Sequence, residues 1–226
     1  MFKSIIKAMI HINSFLPRFL KLIINIFKGK NNTFVDSKTY WNNRYSHDGT
    51  SGDGSYGFEA SYKSKYINSF LTKNEVNSVV EFGCGDGNQL RGINYSNYLG
   101  VDISKDIIEL CKYKYKKDET KQFILLEHFK EAQFDLSLSL DVIYHLVEDE
   151  NFYQHINKVF ISSSKYVIIF STNFDDLMYN FSHVRNRKFT DYIEENFSDF
   201  ELIDTDINKN KNRASFYVYK KRLSHQ

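Results

Sequence analysis

Hydrophobic and polar positions change their period twice along the 226-residue chain. At the start, the polar residues Lys3, Lys7, His11, Ser14, Arg18, Lys21, Asn25 and Lys28 recur at steps of three and four. The positions between them are dominated by Phe, Ile and Leu. This is the period of an α-helix with a wide apolar face and a narrow basic stripe. Pro17 is expected to kink it or split it into two. Gly29 to Thr33 reads as a small polar linker. Ser37 to Tyr45 predicts a short helix, 48–57 a glycine-rich loop, and 59–72 a second helix. From there strand-like and helix-like runs alternate. Strands are predicted at 77–82, 98–103, 122–127, 134–140, 165–172, 200–207 and 214–220, and helices at 88–94, 104–117, 147–162 and 187–197. Such alternation implies βαβ units and a mainly parallel sheet covered on both faces. The last two strands, joined by the polar turn Asn208–Asn212, suit an antiparallel hairpin.

Charge divides the chain in the same place as the pattern. The whole carries +2, yet residues 1–35 hold six Lys or Arg and no acid, which leaves −4 for the rest. We therefore read a basic amphipathic leader over 1–35 and one domain over 36–226. The mildly acidic body excludes a uniformly basic nucleic-acid binder. At 42% hydrophobic and 26% charged, the chain is too apolar to be disordered. Two cysteines, Cys84 and Cys111, make no disulfide framework and favour a reducing compartment, hence a cytoplasmic location. Neither these nor the histidines show the spacing of metal ligands.

The leader is interrupted by charge too often to span a bilayer and lacks the cleavage site of a secretory signal. Two readings remain. Residues 1–28 could lie on an anionic membrane surface, placing the protein at the inner membrane face. They could equally pack on the protein's own core or on a partner subunit. The oligomeric state is left open.

The most informative stretch is Val79-Val80-Glu81-Phe82-Gly83-Cys84-Gly85-Asp86-Gly87-Asn88. An apolar strand runs into three alternating glycines, which permit a tight turn and close approach to a ligand. A dinucleotide site would want glycine where Asn88 stands. Glu81 disfavours a pyrophosphate and suits a cationic ligand. The next strand, Tyr98-Leu99-Gly100-Val101-Asp102, ends in an acid that can accept hydrogen bonds from both hydroxyls of a ribose. Asp102 could also serve as a helix N-cap.

These segments resemble the class I, Rossmann-like S-adenosylmethionine-dependent methyltransferases. The resemblance extends to Phe134-Asp135-Leu136-Ser137-Leu138-Ser139-Leu140-Asp141-Val142-Ile143-Tyr144-His145-Leu146 and to Tyr40-Trp41-Asn42-Asn43-Arg44-Tyr45, and covers roughly 37–222. It implies an α/β fold with one doubly wound, seven-stranded sheet in the order 3-2-1-4-5-7-6, strand 7 antiparallel. It implies S-adenosylmethionine as cofactor and S-adenosylhomocysteine as product. By the same resemblance Gly83, Gly85 and Gly87 line the methionine part, Asp102 holds the ribose, and Glu127 and His128 flank the adenine. Tyr40 and Arg44 close over the cofactor, Arg44 pairing with its carboxylate. Packing is an equal alternative for Trp41 and Tyr45.

Methyl transfer needs alignment, exclusion of water and, for an acceptor that loses a proton, a base. His145, beyond the fourth strand, is the candidate base because its ordinary pKa lies near neutrality. Asp141, four residues earlier, could orient it. Arg185 and Arg187, with His183, form a basic run whose guanidinium forks suit a carboxylate or phosphate. Tyr56 and Tyr144 complete the candidate acceptor contacts. Part of this pattern resembles a bacterial subgroup that decorates surface polysaccharides, which implies a sugar, phosphate or phosphoramidate acceptor used in capsule biosynthesis. The alternatives are an NAD-dependent oxidoreductase and a non-catalytic cofactor-binding protein of the same fold.

Overall fold

The structure, a computed structural model, describes residues 34–175, 182–206 and 214–222. The chain divides into two units, Met1–Phe34 and Val35–Gln226, and the described fold is that of the second. The leader helix and the Asn208–Asn212 turn expected from the sequence lie outside the described residues.

Helix α1 (Ser37–Ser46) starts where Asp36 caps it, with Asp36 Oδ1 accepting from the Thr39 N–H at 2.6 Å. Helix α2 (Gly57–Lys73) follows. Strand β1 (Val79–Phe82) then opens a run of β2 (Tyr98–Asp102), α3 (Lys105–Lys114), β3 (Lys121–Leu125), β4 (Phe134–Leu140), α4 (Asp149–Ile161), β5 (Ser163–Ser171), α5 (Phe189–Asn196), β6 (Phe200–Asp206) and β7 (Ser215–Lys221). The sheet order is β3-β2-β1-β4-β5-β7-β6. Strands β1 to β5 pair in parallel, and β7 runs antiparallel to both β5 and β6.

Side chains alternate across a strand, so each buried strand feeds two cores. Val79, Leu136, Leu138, Ile168, Phe216 and Val218 point to one face, where Ile67 and Leu71 of α2 and Ile107 and Ile108 of α3 cover them. Val80, Phe82, Val167, Ile169 and Tyr219 point to the other, beneath Phe152, Ile156, Val159 and Phe160 of α4 and Ile193 of α5. This two-sided burial is why the strands read as continuous apolar runs.

The helix predicted over 104–117 stops at Lys114, and two further elements depart from expectation. The segment predicted as a helix over 88–94 is a short 3-10 turn, Asn88–Gly92. Asn68 of α2 takes the backbone groups that a longer helix would use: its amide donates to the Gly92 carbonyl at 2.7 Å and accepts from the Asn94 N–H at 2.9 Å. Strand β3 stops at Leu125, because Leu126–His128 forms another 3-10 turn. No helix of the described residues is long and apolar enough to cross a membrane.

Candidate functional site

All parallel strands of the sheet end on one edge, and the loops after β1, β2, β3 and β4 meet there around a cavity of about 350 Å³. The loop after β1 determines its shape. Gly83 has φ +85°, and a Cβ there would stand 2.5 Å from Val142 Cγ2. Gly85 has φ +55°, and a Cβ there would stand 2.2 Å from Ser51 Oγ. A side chain at either position is excluded by both backbone and space. Gly87 lies one step further on, against Cys111 and Tyr115, and does not line the cavity.

Asp102 ends β2 at the cavity wall. Its carboxylate accepts from the Gly85 N–H and from the Ser104 N–H, each at 3.0 Å. Burial raises its pKa, and these N–H donors oppose the rise. So the acid ties the glycine loop to the second strand as well as facing the cavity. Beside it Ile103, Leu125, Leu126 and Val142 form an apolar slot with Glu127 at its edge. His128 lies outside the slot, largely exposed.

Glu81, Gln89 and Lys63 bring polar groups to the same cavity. Burial pushes the Glu81 carboxyl up to about 7, and the Tyr98 hydroxyl, donating at 2.6 Å, holds it back from rising further. Gln89 donates to the Ala60 carbonyl and to Ser64, yet its buried Oε1 has no partner among the described residues. Lys63, 1% exposed, sets its ammonium against Asp141 Oδ2. Asp141 holds a left-handed φ of +59° at the end of β4, and Tyr144 donates to its other oxygen at 2.9 Å.

A third wall is aromatic. Trp41 and Tyr45 of α1 line the cavity with His145, whose ring meets Trp41 edge-on at 4.9 Å. His145 Nδ1 lies 3.1 Å from the His183 carbonyl oxygen. A carbonyl accepts and never donates, so Nδ1 carries the proton and Nε2 keeps the lone pair. Burial pushes the His145 pKa down to about 4. The near-neutral base expected from the sequence is thus corrected to a neutral imidazole of low basicity.

The glycine-rich loop 48–57 lies across this edge as a lid. Ser51 and Asp86 bond reciprocally: the Ser51 N–H donates to the Asp86 carboxylate at 3.0 Å, and the Asp86 N–H donates to Ser51 Oγ at 2.8 Å. Tyr56 adds its hydroxyl to the same carboxylate at 2.7 Å, and Asn88 donates to the Ser55 carbonyl at 2.7 Å. Burial works to raise the Asp86 pKa, but the donors from Ser51, Tyr56 and Asn88 outweigh it and hold the acid below the usual carboxylate range. Ser51 and Ser55 line the cavity, so the lid forms part of its wall.

The structure brings together Glu81, Gly83, Gly85, Asp102, Glu127, Asp141 and His145 around the cavity. It places several other expected residues elsewhere. Arg44 donates to the Thr50 carbonyl at 2.7 Å and to the Tyr40 hydroxyl at 3.2 Å, so it braces the lid from outside. Tyr40 stacks on His183 at 4.4 Å. Tyr56 and Tyr144 bond Asp86 and Asp141 and do not line the cavity. The basic run is corrected most. Arg187 donates to the Leu146 and Val147 carbonyls at 2.8 and 2.7 Å and pairs with Asp149 at 2.9 Å. Arg185 donates to the Val147 carbonyl at 3.1 Å and pairs with Asp149 at 2.8 Å. Both guanidinium groups brace the segment before α4, and neither lines the cavity.

Lys63 and Gln89 are two of the cavity residues that the sequence reading missed; Lys38, Ser51, Ser55, His155 and Lys158 are others. Lys63 did carry a signal: it shares one helical face with Ile67 and Leu71, where the spacing calls for an apolar residue. Gln89 had none. Among the described residues no group of three or more His, Cys, Asp or Glu could hold a metal ion.

Comparisons with known proteins agree with this architecture. Residues 80–168 match the family described as a methyltransferase domain. Comparison with curated proteins returns no match. Among solved structures, magnesium protoporphyrin IX methyltransferase from Synechocystis PCC 6803, with bound SAH, superposes with a TM-score of 0.62 at 16% identity, over 81% of this chain and 97% of that one. The N-methyltransferase NodS from Bradyrhizobium japonicum WM9, in complex with S-adenosyl-L-homocysteine, gives 0.64 at 12% identity over 83% and 99%. A S-adenosylmethionine-dependent methyltransferase from Clostridium acetobutylicum ATCC 824 gives 0.59 at 13% identity over 80% and 98%.

Proposed function

We propose that this chain, which carries a methyltransferase domain over residues 80–168, transfers a methyl group from S-adenosylmethionine to a small acceptor and leaves S-adenosylhomocysteine. The observation that carries the reading is the cavity at the ends of β1, β2 and β4. There a glycine loop with no room for side chains faces a buried acid, Asp102. The donors and acceptors present fit such a cofactor. Asp102 would accept from the ribose hydroxyls, the slot of Ile103, Leu126 and Val142 would hold the adenine, and the unpartnered Gln89 Oε1 and Glu81 would receive the amino group.

When bound, the cofactor supplies a sulfonium methyl for in-line displacement. The chain aligns the acceptor with it and keeps water out. Trp41, Tyr45 and the lid residues Ser51 and Ser55 close that side of the cavity. His145 Nε2, held as the lone-pair nitrogen by the His183 carbonyl, would accept a hydrogen bond from an acceptor hydroxyl and take its proton as the new bond forms. Its low basicity suits orientation of the hydroxyl more than full abstraction in the ground state. This supports O-methylation.

For an anionic acceptor the support is Lys38 and Lys158, which line the cavity, in place of Arg185 and Arg187. A sugar or phosphate acceptor from a surface polysaccharide rests on the sequence resemblance. Placement at an anionic membrane rests on the basic pattern of residues 1–28, and loss of membrane co-sedimentation on deletion of residues 2–30 would support it.

Calorimetric titration with S-adenosylmethionine, S-adenosylhomocysteine and NAD tests the central reading. Micromolar binding of the first two and none of NAD is expected. Absence of S-adenosylhomocysteine binding would overturn it. Transfer of a radiolabelled methyl to sugar phosphates, phosphoramidates and neutral sugars, compared side by side, then identifies the acceptor.

A further inference from the structure

The His145 ring is anchored through Nδ1 to the His183 carbonyl oxygen at 3.1 Å. One hydrogen bond fixes an atom but not the plane of an imidazole, whose χ2 is broad. Other rings set that plane. His183 lies nearly parallel to His145, 10° off with centroids 5.8 Å apart, and Tyr40 lies nearly parallel to His183, 11° off at 4.4 Å. Separations of this size are those of stacked rings. Trp41 meets the His145 ring edge-on, at 78° and 4.9 Å. The backbone beneath is held as well. The Arg185 N–H donates to the Tyr144 carbonyl at 2.8 Å, and the guanidinium groups of Arg185 and Arg187 take the Leu146 and Val147 carbonyls. The basic run 183–187 thus frames His145.

Tyr40 also reaches the lid. Its hydroxyl accepts from Arg44 at 3.2 Å, and the same guanidinium donates to the Thr50 carbonyl at 2.7 Å. The Gly49 N–H donates to the Arg44 carbonyl at 2.9 Å, so Arg44 holds the lid at two points and the stack at one. We propose that Tyr40 and His183 are positioning residues that orient His145 Nε2 in the cavity, and that Arg44 makes their arrangement depend on the closed lid. The use of Nε2 rests on the methyltransferase reading; the residues that orient it, and their link to the lid, go beyond that reading. The charged and titratable groups around the His145 ring are Arg44 from α1, Asp141 and Tyr144 from the turn after β4, and His183.

The test is NMR of the full chain with isotope-labelled histidine. It shows which ring nitrogen of His145 bears the proton and the pH at which the ring charges, with His145→Gln assigning the signals. In the unaltered chain Nδ1 is protonated, Nε2 is not, and the ring stays neutral down to about 4. His183→Ala keeps the carbonyl and removes the ring. Its two His145 tautomers should exchange, and the midpoint should rise toward the ordinary histidine value of about 6.5. Tyr40→Leu should act in the same direction, and His183→Phe, which keeps a ring in the stack, should retain the parent signal. Arg44→Lys keeps the charge but cannot fork between Thr50 and Tyr40, so it should shift the His145 signal as Tyr40→Leu does. Affinity for S-adenosylhomocysteine should stay within about threefold in every variant. With an acceptor identified, His183→Ala should lower kcat about three- to tenfold, the value of one stacked pair. An unchanged His145 signal in His183→Ala, or the same change in His183→Phe, would overturn the positioning role. Loss of S-adenosylhomocysteine binding in His183→Ala would assign that ring to the fold and overturn it too. An unchanged signal in Arg44→Lys would overturn the link to the lid. Failure of the unaltered chain to bind S-adenosylhomocysteine would overturn the methyltransferase reading, while the histidine signals would still decide the arrangement.

Discussion

The two halves of the cavity are built by different means. The half at β1 and β2 depends on backbone: glycines at positive φ and an acid that receives N–H groups from Gly85 and Ser104. The other half, where Trp41, Tyr45 and His145 meet, depends on long side chains arriving from distant segments. Trp41 and Tyr45 come from α1, and His145 is set by the carbonyl of residue 183. A site made from contiguous backbone is dictated by its own sequence. A site made from converging side chains is dictated by the fold.

Disabling the first half should have the largest effect. Asp102→Ala removes the acid proposed to accept from the ribose and frees the Gly85 N–H, so S-adenosylhomocysteine affinity should fall about a hundredfold in a calorimetric titration. A loss below about threefold would mean that the acid serves mainly as a brace.

The next effect concerns pH. His155, bonded through Nε2 to Ser139 Oγ at 2.8 Å, is pushed by burial to about 4, as is His145. The folded state then binds fewer protons than the unfolded chain between pH 4 and the ordinary histidine value of about 6.5. Stability is therefore full above that window and falls as the pH drops through it, on the order of 2–3 kcal/mol for each histidine. Melting temperatures of His155→Gln across pH 4 to 7 should show a shallower acid decline than the parent; identical slopes would refute the assignment.

On the acceptor side, His145→Gln should lower kcat between about tenfold and a hundredfold, with S-adenosylhomocysteine binding nearly unchanged. Because His145 stays neutral down to about 4, the parent rate should show no ascending limb from this group between pH 5 and 8. An apparent pKa near 6.5 abolished by the substitution would contradict the burial seen in the structure.

The smallest effect sharpens the contrast most. Arg187→Ala should cost about 1–3 kcal/mol of stability, since it takes the Arg187 donor from the Leu146 carbonyl and leaves the Val147 carbonyl with Arg185 alone, while acceptor KM changes less than about twofold. A large rise in KM with unchanged stability would return the arginine to the binding site.

The same contrast explains how much was legible in advance. The strand order, the glycine loop and Asp102 could be read because hydrophobic period, glycine and a terminal acid are local signals. The 3-10 turn at Asn88–Gly92 could not, because Asn68, twenty or more residues away, decides it. The fate of Arg185 and Arg187 was hidden for the same reason: basic residues in a loop look alike whether they bind a substrate or the carbonyls of 146–147. Lys63 was written in the helix as a charge on an apolar face, a local irregularity that marks a cavity.

The reciprocal bonds between Ser51 and Asp86 also carry a kinetic consequence. Ser51 lines the cavity beside the glycine loop, so a ligand that enters by way of the 48–57 loop has to break both Ser51 bonds to Asp86 and the Tyr56 bond with them. The observed association rate should then level off as ligand concentration rises, with a plateau equal to the opening rate of the 48–57 loop. Ser51→Ala would raise that plateau, so the serine acts as the timing element of the molecule.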